Sequence, residues 1–529
     1  MRLDKAIKSI QEIKMSSNKR TIINVASSIA VLITHALISF VLSPYIVENI
    51  GVEANGFVTL ANNCITYANL IVAALNSMAS RFIMLEYLHK DYKKANIYYN
   101  SVFWGNLIIV AVLLLPSAYM IAKLQNFFDI PQDILTDVKL LFGFVFFNFF
   151  LTTGFPNWDC GVQVTNRLER QYIPSMCTSL LRCAILFMML MFFAPHVWYV
   201  GMATTVITII TLAINGYNTA TLTPELKIRF ENGKPICSKH AIWTLVGTGL
   251  WNSISSFGLI LLNGMDLIIA NKALDATAMG IVSLAKTLPY TLGQLLSSIQ
   301  CALLSEMIIN YADGDREAML KNIKRIMKLT SVIASIPITC VIILGDRFFS
   351  LWVPTQDAHL LQTLSVLATV EYIFTGGIVV LYNVFTAVNK VRQNAIAVLL
   401  GGAASVGVTL LIAKYTDYGI YAIAGVSMVM NLIRDMGFTL PASAKYLGFK
   451  WYQFYPQVGI TVLSSTVLIA SGFAIKPILP DGSWLALFVS ACIIGIIGLT
   501  VNLFIVLNRG ERRYLINIAK KKFHAGGAK

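Results

Sequence analysis

Long apolar runs separated by short polar stretches set the rhythm of this chain from about residue 22 to residue 508. Each run is close to the roughly 20 helical residues needed to cross a hydrocarbon core. Over such lengths in lipid, a chain that does not close into a barrel satisfies its backbone only as helix. The pattern predicts spans near 22–48, 57–80, 99–122, 140–157, 174–194, 198–220, 241–270, 278–304, 329–345, 359–386, 396–413, 418–438, 458–475 and 484–508. The expected fold class is an all-α polytopic membrane protein of about fourteen transmembrane helices with both ends on one side.

An internal repeat orders these spans. Gly56-Phe57-Val58-Thr59-Leu60-Ala61-Asn62 reads against Gly280-Ile281-Val282-Ser283-Leu284-Ala285-Lys286. Asn24-x-x-Ser27-Ser28 echoes Asn252-x-x-Ser255-Ser256, Ile130-Pro131 echoes Val353-Pro354, and Asn166-Arg167-Leu168 matches Asn389-Lys390-Val391. Four matches in order at a nearly constant offset define a unit of six spans. Six is even, so both copies enter the membrane in the same direction. They are expected as two parallel six-helix bundles related by a pseudo-twofold along the membrane normal. The expected organisation is an amphipathic segment over 1–20, a first bundle over 21–220, a cytoplasmic linker over 221–240, a second bundle over 241–440, two additional helices over 441–508 and a basic tail over 509–529.

Composition supports this reading and removes others. Of 529 residues, 13% are charged and 56% hydrophobic, against about 25% charged in soluble domains. The net charge of +15 raises the question of a nucleic-acid partner. With the N-terminus placed in the cytoplasm, 32 of the 41 Lys and Arg residues fall in inner segments and six in outer ones. The other three, Arg182, Lys286 and Arg434, lie inside spans. This is the positive-inside asymmetry, so no nucleic acid is needed. Met1–Arg20 lacks the apolar core of a signal peptide. Its Leu3, Ile7, Ile10 and Ile13 share one helical face, as in an interfacial helix. The eight cysteines form no CxxC pair, so neither a disulfide nor a metal site is expected. There is no GxxxxGK[ST], HExxH or GxSxG motif and no large outer loop. Transport, with no cofactor and no enzymatic step, is favoured over catalysis.

Polar side chains at membrane depth are costly and usually face a bundle interior or a wet cavity. Span two carries Asn62, Thr66, Asn69, Asn76 and Ser80 along one stripe. Span seven carries Asn252, Ser255, Ser256, Asn263 and Asp266, and span eight carries Lys286, Tyr290, Gln294 and Ser297. Span one adds Asn24, Ser28 and His35. The expectation is a polar cleft lined by both halves; the alternative is glue between helices. Lys286, the repeat counterpart of Asn62, sits roughly 12 Å deep at 1.5 Å per residue. Either an acid pairs with it, Asp266 and Glu371 being candidates, or it faces water and an anionic substrate. Arg182 divides between anion contact and a structural ion pair. Arg81 divides between an inner-face anchor and a lipid-phosphate contact. His35, Asp266 and Glu371 are the candidates for a coupling ion. Arg434 and Asp435, near the inner end of span twelve, are expected to snorkel. Pro44, Pro116, Pro156, Pro289, Pro337 and Gly376-Gly377 mark expected kinks. Trp198, Tyr199, Trp352 and Trp484 are expected in an outer aromatic belt.

Several soft motifs together resemble a known family. Ile50-Gly51 is followed by Ala54-Asn55-Gly56, span two closes at Ala79-Ser80-Arg81, and Asp266-Leu267-Ile268-Ile269 precedes Gly280-Ile281-Val282. Leu351-Trp352-Val353-Pro354 completes the set. The region from about residue 20 to 440 resembles the polysaccharide flippases of the multidrug/oligosaccharidyl-lipid/polysaccharide exporter superfamily, such as O-antigen repeat-unit translocases. The resemblance implies movement of undecaprenyl-diphosphate-linked oligosaccharide across a bacterial inner membrane by alternating access. It also implies action beside the glycan polymerase and glycosyltransferases of one pathway. Lys286, Arg182 and Arg81 would meet the diphosphate. Asn62, Asn69, Asn76, Asn252, Ser256, Asn263 and Tyr290 would meet sugar. The rivals are a proton- or sodium-coupled drug or metabolite antiporter of the same superfamily and a membrane-embedded glycan polymerase or transferase.

Overall fold

A computed structural model describes residues 27, 30, 31, 33, 34, 36–156, 158–165, 167–231, 234–312, 316–508, 510 and 512. His35, Asn24, Ser28, the amphipathic segment and nearly all of the basic tail lie outside the described residues. By internal contacts the chain divides into two units. The first runs to Ile260 and includes Asp275–Gly280; the second comprises Leu261–Leu274 and everything from Ile281. Residues 241–260, which open the expected second bundle, group with the first unit.

In the first unit, α1 (Ala36–Asn49) turns at Gly51, whose φ of 127° favours glycine. It is followed by α2 (Val52–Asn76) and α3 (Ala79–Leu88), which together make one span. Next come α4 (Tyr92–Ala122), the short α5 (Leu124–Phe127), α6 (Leu135–Gly154), the short α7 (Asp159–Val164), α8 (Glu169–Phe192), α9 (Trp198–Leu222) and α10 (Lys239–Asn263). Gly56 and Gly280, matched in the sequence repeat, lie back to back. A Cβ on Gly56 would fall 3.0 Å from the Gly280 Cα, and one on Gly280 would collide with the Val52 carbonyl oxygen. Glu53 accepts a 2.7 Å hydrogen bond from Thr277 beside this contact.

The expected linker is part of this unit. Two buried asparagines one helical turn apart on α4 hold it as a neighbouring strand would. Asn96 donates to the Glu225 carbonyl (2.7 Å) and accepts from the Lys227 N–H (2.9 Å). Asn100 donates to the Lys227 carbonyl (2.9 Å) and accepts from the Arg229 N–H (2.9 Å). The helical rise from i to i+4, about 6 Å, matches two residues of extended chain, about 6.6 Å. Leu226 is buried with Ile83, Ala95, Tyr99 and Cys160. Residues 230–231 and 234–235 then form a small antiparallel pair.

The second unit contains α11 (Asp266–Ala273), α13 (Thr287–Ala312) and the long α14 (Arg316–Trp352); α12 (Ala276–Ala285) and the last turn of α10 straddle the unit boundary. It continues through α15 (Ala358–Thr369), α16 (Tyr372–Thr375), α17 (Tyr382–Ala387), α18 (Val391–Tyr415), α19 (Gly419–Arg434), α20 (Leu440–Tyr446), α21 (Tyr455–Ile475) and α22 (Trp484–Ile505). Span seven stops at Asn263 rather than running to 270, with a separate short helix following. Span eight is broken at Lys286, because Pro289 has no N–H for the Ala285 carbonyl. Span ten bends by 61° at Gly376-Gly377, where any side chain would strike Ala334 or Ser331 on α14. Trp352 and Tyr199 are buried, so the expected aromatic belt does not hold for them; Trp484 is exposed.

Among the described residues, ten helices are long and apolar enough to cross a membrane, eleven with the bent span counted as one. The shorter apolar segments Ala36–Asn49 and Ala276–Ala285 belong to further expected spans. With α19 (Gly419–Arg434) for expected span twelve, each of the fourteen expected spans coincides with helix over its described residues. The chain is a multi-pass α-helical membrane protein.

Candidate functional site

Breaks in three helices of the second unit assemble a buried cluster of charge. Lys286 occupies the break between α12 and α13. Its ammonium pairs with Asp266, the first residue of α11; their side chains are 22% and 9% exposed. That position suits a carboxylate, since a helix start carries partial positive charge. Of the two readings left open for Lys286, the acid pairing is the one the structure has. The cost of a deep ammonium is offset by a neighbour rather than by water alone.

Glu371 lies at the junction of α15 and α16 and is buried. It sits beside the Asn431 side chain, within electrostatic reach of Lys286, Arg434 and Asp435. Its Oε2 is buried with no hydrogen-bond partner among the described residues. Asn431 in turn donates to Asn263 Oδ1 at 3.0 Å.

Where α19 ends, its last residue Arg434 and Asp435 of the following π-turn, Asp435–Thr439, form a second centre. The guanidinium donates twice to Asp435 Oδ1, from Nε at 3.0 Å and from Nη2 at 2.9 Å. Nη2 also reaches the Tyr382 hydroxyl at 2.6 Å. Tyr382 donates to Asp435 Oδ2 at 2.7 Å, and Thr439 to Oδ1 at 2.9 Å. Arg434 also lies over the Tyr382 ring, 5.2 Å from its centroid. This corrects the expectation of snorkelling: Arg434 is 8% exposed and Asp435 fully buried. The physical reason is that Tyr382 and Thr439 complete the hydrogen bonds of the pair, so neither charge needs water.

Sequence reasoning passed over Asn431 and Tyr382. Asn431 carried a signal, being a lone amide inside span twelve; Tyr382 looked like any aromatic in a span. Asp266, Glu371 and Asp435 face two cations, Lys286 and Arg434. The cluster therefore holds one carboxylate more than it holds fixed positive charge. An unsatisfied buried carboxylate is costly, and one proton or one small cation balances the set.

The first unit holds the remaining candidates separately. Asn62, Thr66 and Asn69 lie on one exposed face of α2, and Asn76 is half-buried with its Oδ1 unpaired. Asn252 is half-buried and Ser256 exposed on α10; Arg81 is exposed on α3. Arg182, mid-way along α8, is half-buried. Its Nε is buried without a hydrogen-bond partner, and no acid pairs with it among the described residues. In the second unit Asn263 is taken by Asn431, and exposed Tyr290 accepts from Gln294 at 2.8 Å.

Solved structures share the fold. The structure of "Lipid II flippase MurJ, inward closed conformation" aligns with a TM-score of 0.63 at 12% identity, covering 90% of this chain and 98% of that one. An inward-facing multidrug resistance MATE family transporter of the MOP superfamily aligns with a TM-score of 0.61 at 12% identity, covering 86% and 96%. The chain shares its fold with these two proteins. No protein-family model matches the chain. In sequence, an uncharacterised membrane protein of Bacillus subtilis, EpsK, is 27% identical over 518 residues, covering 94% of this chain and 98% of that protein.

Proposed function

We propose that the protein moves undecaprenyl-diphosphate-linked oligosaccharide repeat units from the inner to the outer leaflet of a bacterial cytoplasmic membrane, for surface polysaccharide assembly. The observation that carries this reading is Arg182, a guanidinium held within a span with a buried nitrogen unpaired and no acid beside it. Such a group is best satisfied by an anion carrying several oxygens, and a diphosphate supplies them. The structural likeness to a protein described as a lipid II flippase supports the same class. Arg81 serves as an inner-face phosphate contact. Asn62, Asn69, Asn76, Asn252, Ser256, Asn263 and Tyr290 serve sugar hydroxyls.

Lys286 has a different role in this scheme. Its charge is held by Asp266, so it is free for an anion only when Asp266 or Glu371 takes up a proton or a small cation. That makes the acids the coupling groups and the lysine the link between ion and substrate.

The test uses the full chain in vesicles loaded with undecaprenyl-diphosphate oligosaccharide, with transfer read by an impermeant sugar oxidant. Arg182→Gln should slow transfer at least about tenfold, the loss of one charge-assisted contact. Transfer unchanged in Arg182→Gln would overturn the assignment of Arg182. The acid excess in the second unit favours one alternative, an ion-coupled antiporter for cationic drugs or metabolites. Proton- or sodium-driven uptake of an organic cation, with no movement of the lipid-linked glycan, would replace the first reading with this one.

A further inference from the structure

The connector carries a surface that the transport reading does not use. Asn96 and Asn100 hold the Glu225 and Lys227 carbonyls and the Lys227 and Arg229 N–H groups, and the side chains from Lys227 to Phe230 stay open. Lys227, Ile228, Arg229 and Phe230 are all exposed, with Ile228 38% and Phe230 60% open. Exposed apolar side chains on the spans face lipid, but this segment is not a span. Neither Lys227 nor Arg229 has an acid partner among the side chains described.

The level of this segment follows from α4. No charged residue occurs between Lys94 and Lys123, and this stretch is longer than the core requires. Counting about 20 residues back from Ala122 brings the inner edge of the hydrocarbon to about Phe103. Trp104 is therefore at the boundary where indoles concentrate. Phe230 packs edge-on against Trp104, with centroids 5.7 Å apart. The connector climbs α4 from Asn96 to this aromatic pair. Its two apolar side chains arrive at the lipid boundary, and its two cations at headgroup level.

We propose that Lys227–Phe230 is a membrane-interfacial anchor that binds the headgroups of acidic phospholipids. Apolar residues alternating with cations are the composition of interfacial segments. Each cation near an anionic surface contributes about 1 kcal/mol, so the pair shifts the anchor's partition by about thirtyfold. The ladder makes the anchor selective in shape. A free loop would lose entropy on docking, whereas this one is already ordered.

Nitroxides are placed on I228C and F230C in the full-length chain, with exposed Cys177, Cys237 and Cys492 changed to serine. The chain is reconstituted in vesicles of phosphatidylcholine with or without phosphatidylglycerol. Collision with oxygen and with an impermeant nickel chelate then reports depth. The expected result is strong oxygen and weak nickel access, with depth increasing as phosphatidylglycerol is added. The K227Q/R229Q double variant should lose the phosphatidylglycerol dependence while keeping the same elution volume. Labels open to nickel in both membranes overturn the proposal. Labels closed to both reagents also overturn it, because they mark a protein partner on this surface instead of lipid.

Discussion

Arg434 and Asp435 are adjacent, oppositely charged and close to the end of a span, which in sequence is the description of an interfacial pair. What makes them interior residues is Tyr382, more than fifty positions away, whose hydroxyl touches both. Removing one member leaves the other charged and buried, a loss of about 3–5 kcal/mol. Arg434→Ala should therefore lower the thermal midpoint in detergent by far more than Arg81→Ala, since Arg81 is exposed. Equal midpoints for the two variants would contradict the burial. Outside the spans, Asp159 at the start of α7 accepts from Asn215 at 2.8 Å, and burial raises its pKa above the ordinary carboxylate value. A raised acid binds its proton more tightly folded than unfolded, so stability falls as pH rises from the ordinary carboxylate value through the raised one. Asp159→Asn should remove that slope and raise the midpoint at neutral pH. Midpoints measured from acid to neutral pH, parallel in variant and parent, would sink this account.

Among elements, what could be read in advance tracked how local the cause was. The spans were legible because bilayer thickness acts on contiguous residues, and every expected apolar run coincides with helix over its described residues. The break at Lys286 and the bend at Gly376-Gly377 were legible as kinks, since proline and glycine act within one turn. The stop of span seven at Asn263 was missed, although Asn263-Gly264 interrupts the apolar run there as a turn dipeptide does. Of the candidate site, the cost of its depth left acid pairing as one of two readings for Lys286, and the ion pair with Asp266 is the geometry found. The role of Asn431 was not foreseen, as it depends on which face of α19 meets Asn263. The asparagine ladder was also missed, because its partners are backbone atoms some 130 positions downstream. Asn100→Ala tests it directly. The Lys227 carbonyl and Arg229 N–H would lose their partner, at about 1–3 kcal/mol for each group left buried and unsatisfied. Hydrogen exchange at the Arg229 amide should accelerate, with the Lys227 amide, held by Asn96, and α4 beyond Trp104 unchanged. Uniform acceleration along α4 would mean that the asparagine supports the helix rather than the connector.

For the molecule as a whole, the question is whether the two helices outside the repeat form part of the second unit or only adhere to it. In lipid no hydrophobic force drives helices together, so attachment rests on close packing and polar contacts. Both are present along α14. At one end Lys476 meets Asp346 at 2.8 Å, and Arg347 reaches the carbonyls of Lys476 and Leu479 at 3.2 and 3.3 Å. Mid-way, buried Asn502 donates to Ser335 at 3.1 Å and accepts from Ser464 at 2.9 Å. Toward the other end, Thr461 donates to Ser331 at 3.1 Å. Gly472 and Gly498 bring the helices close, since a Cβ on either would press against Ile343 or Ile336 at 2.8 Å. Three levels of contact along one helix make α21 and α22 integral to the unit, so they should stay bound after the chain is cut. A protease site placed between exposed Lys450 and Trp451, cleaved after purification in mild detergent, should leave both pieces eluting together. Adding Asn502→Ala and Gly498→Leu removes the central bridge and overpacks the seam, at about 1–3 kcal/mol for the glycine change, and should release the C-terminal piece on cleavage. Separation of the unmodified pieces would show that the connection at 447–454, rather than the seam, holds these helices in place.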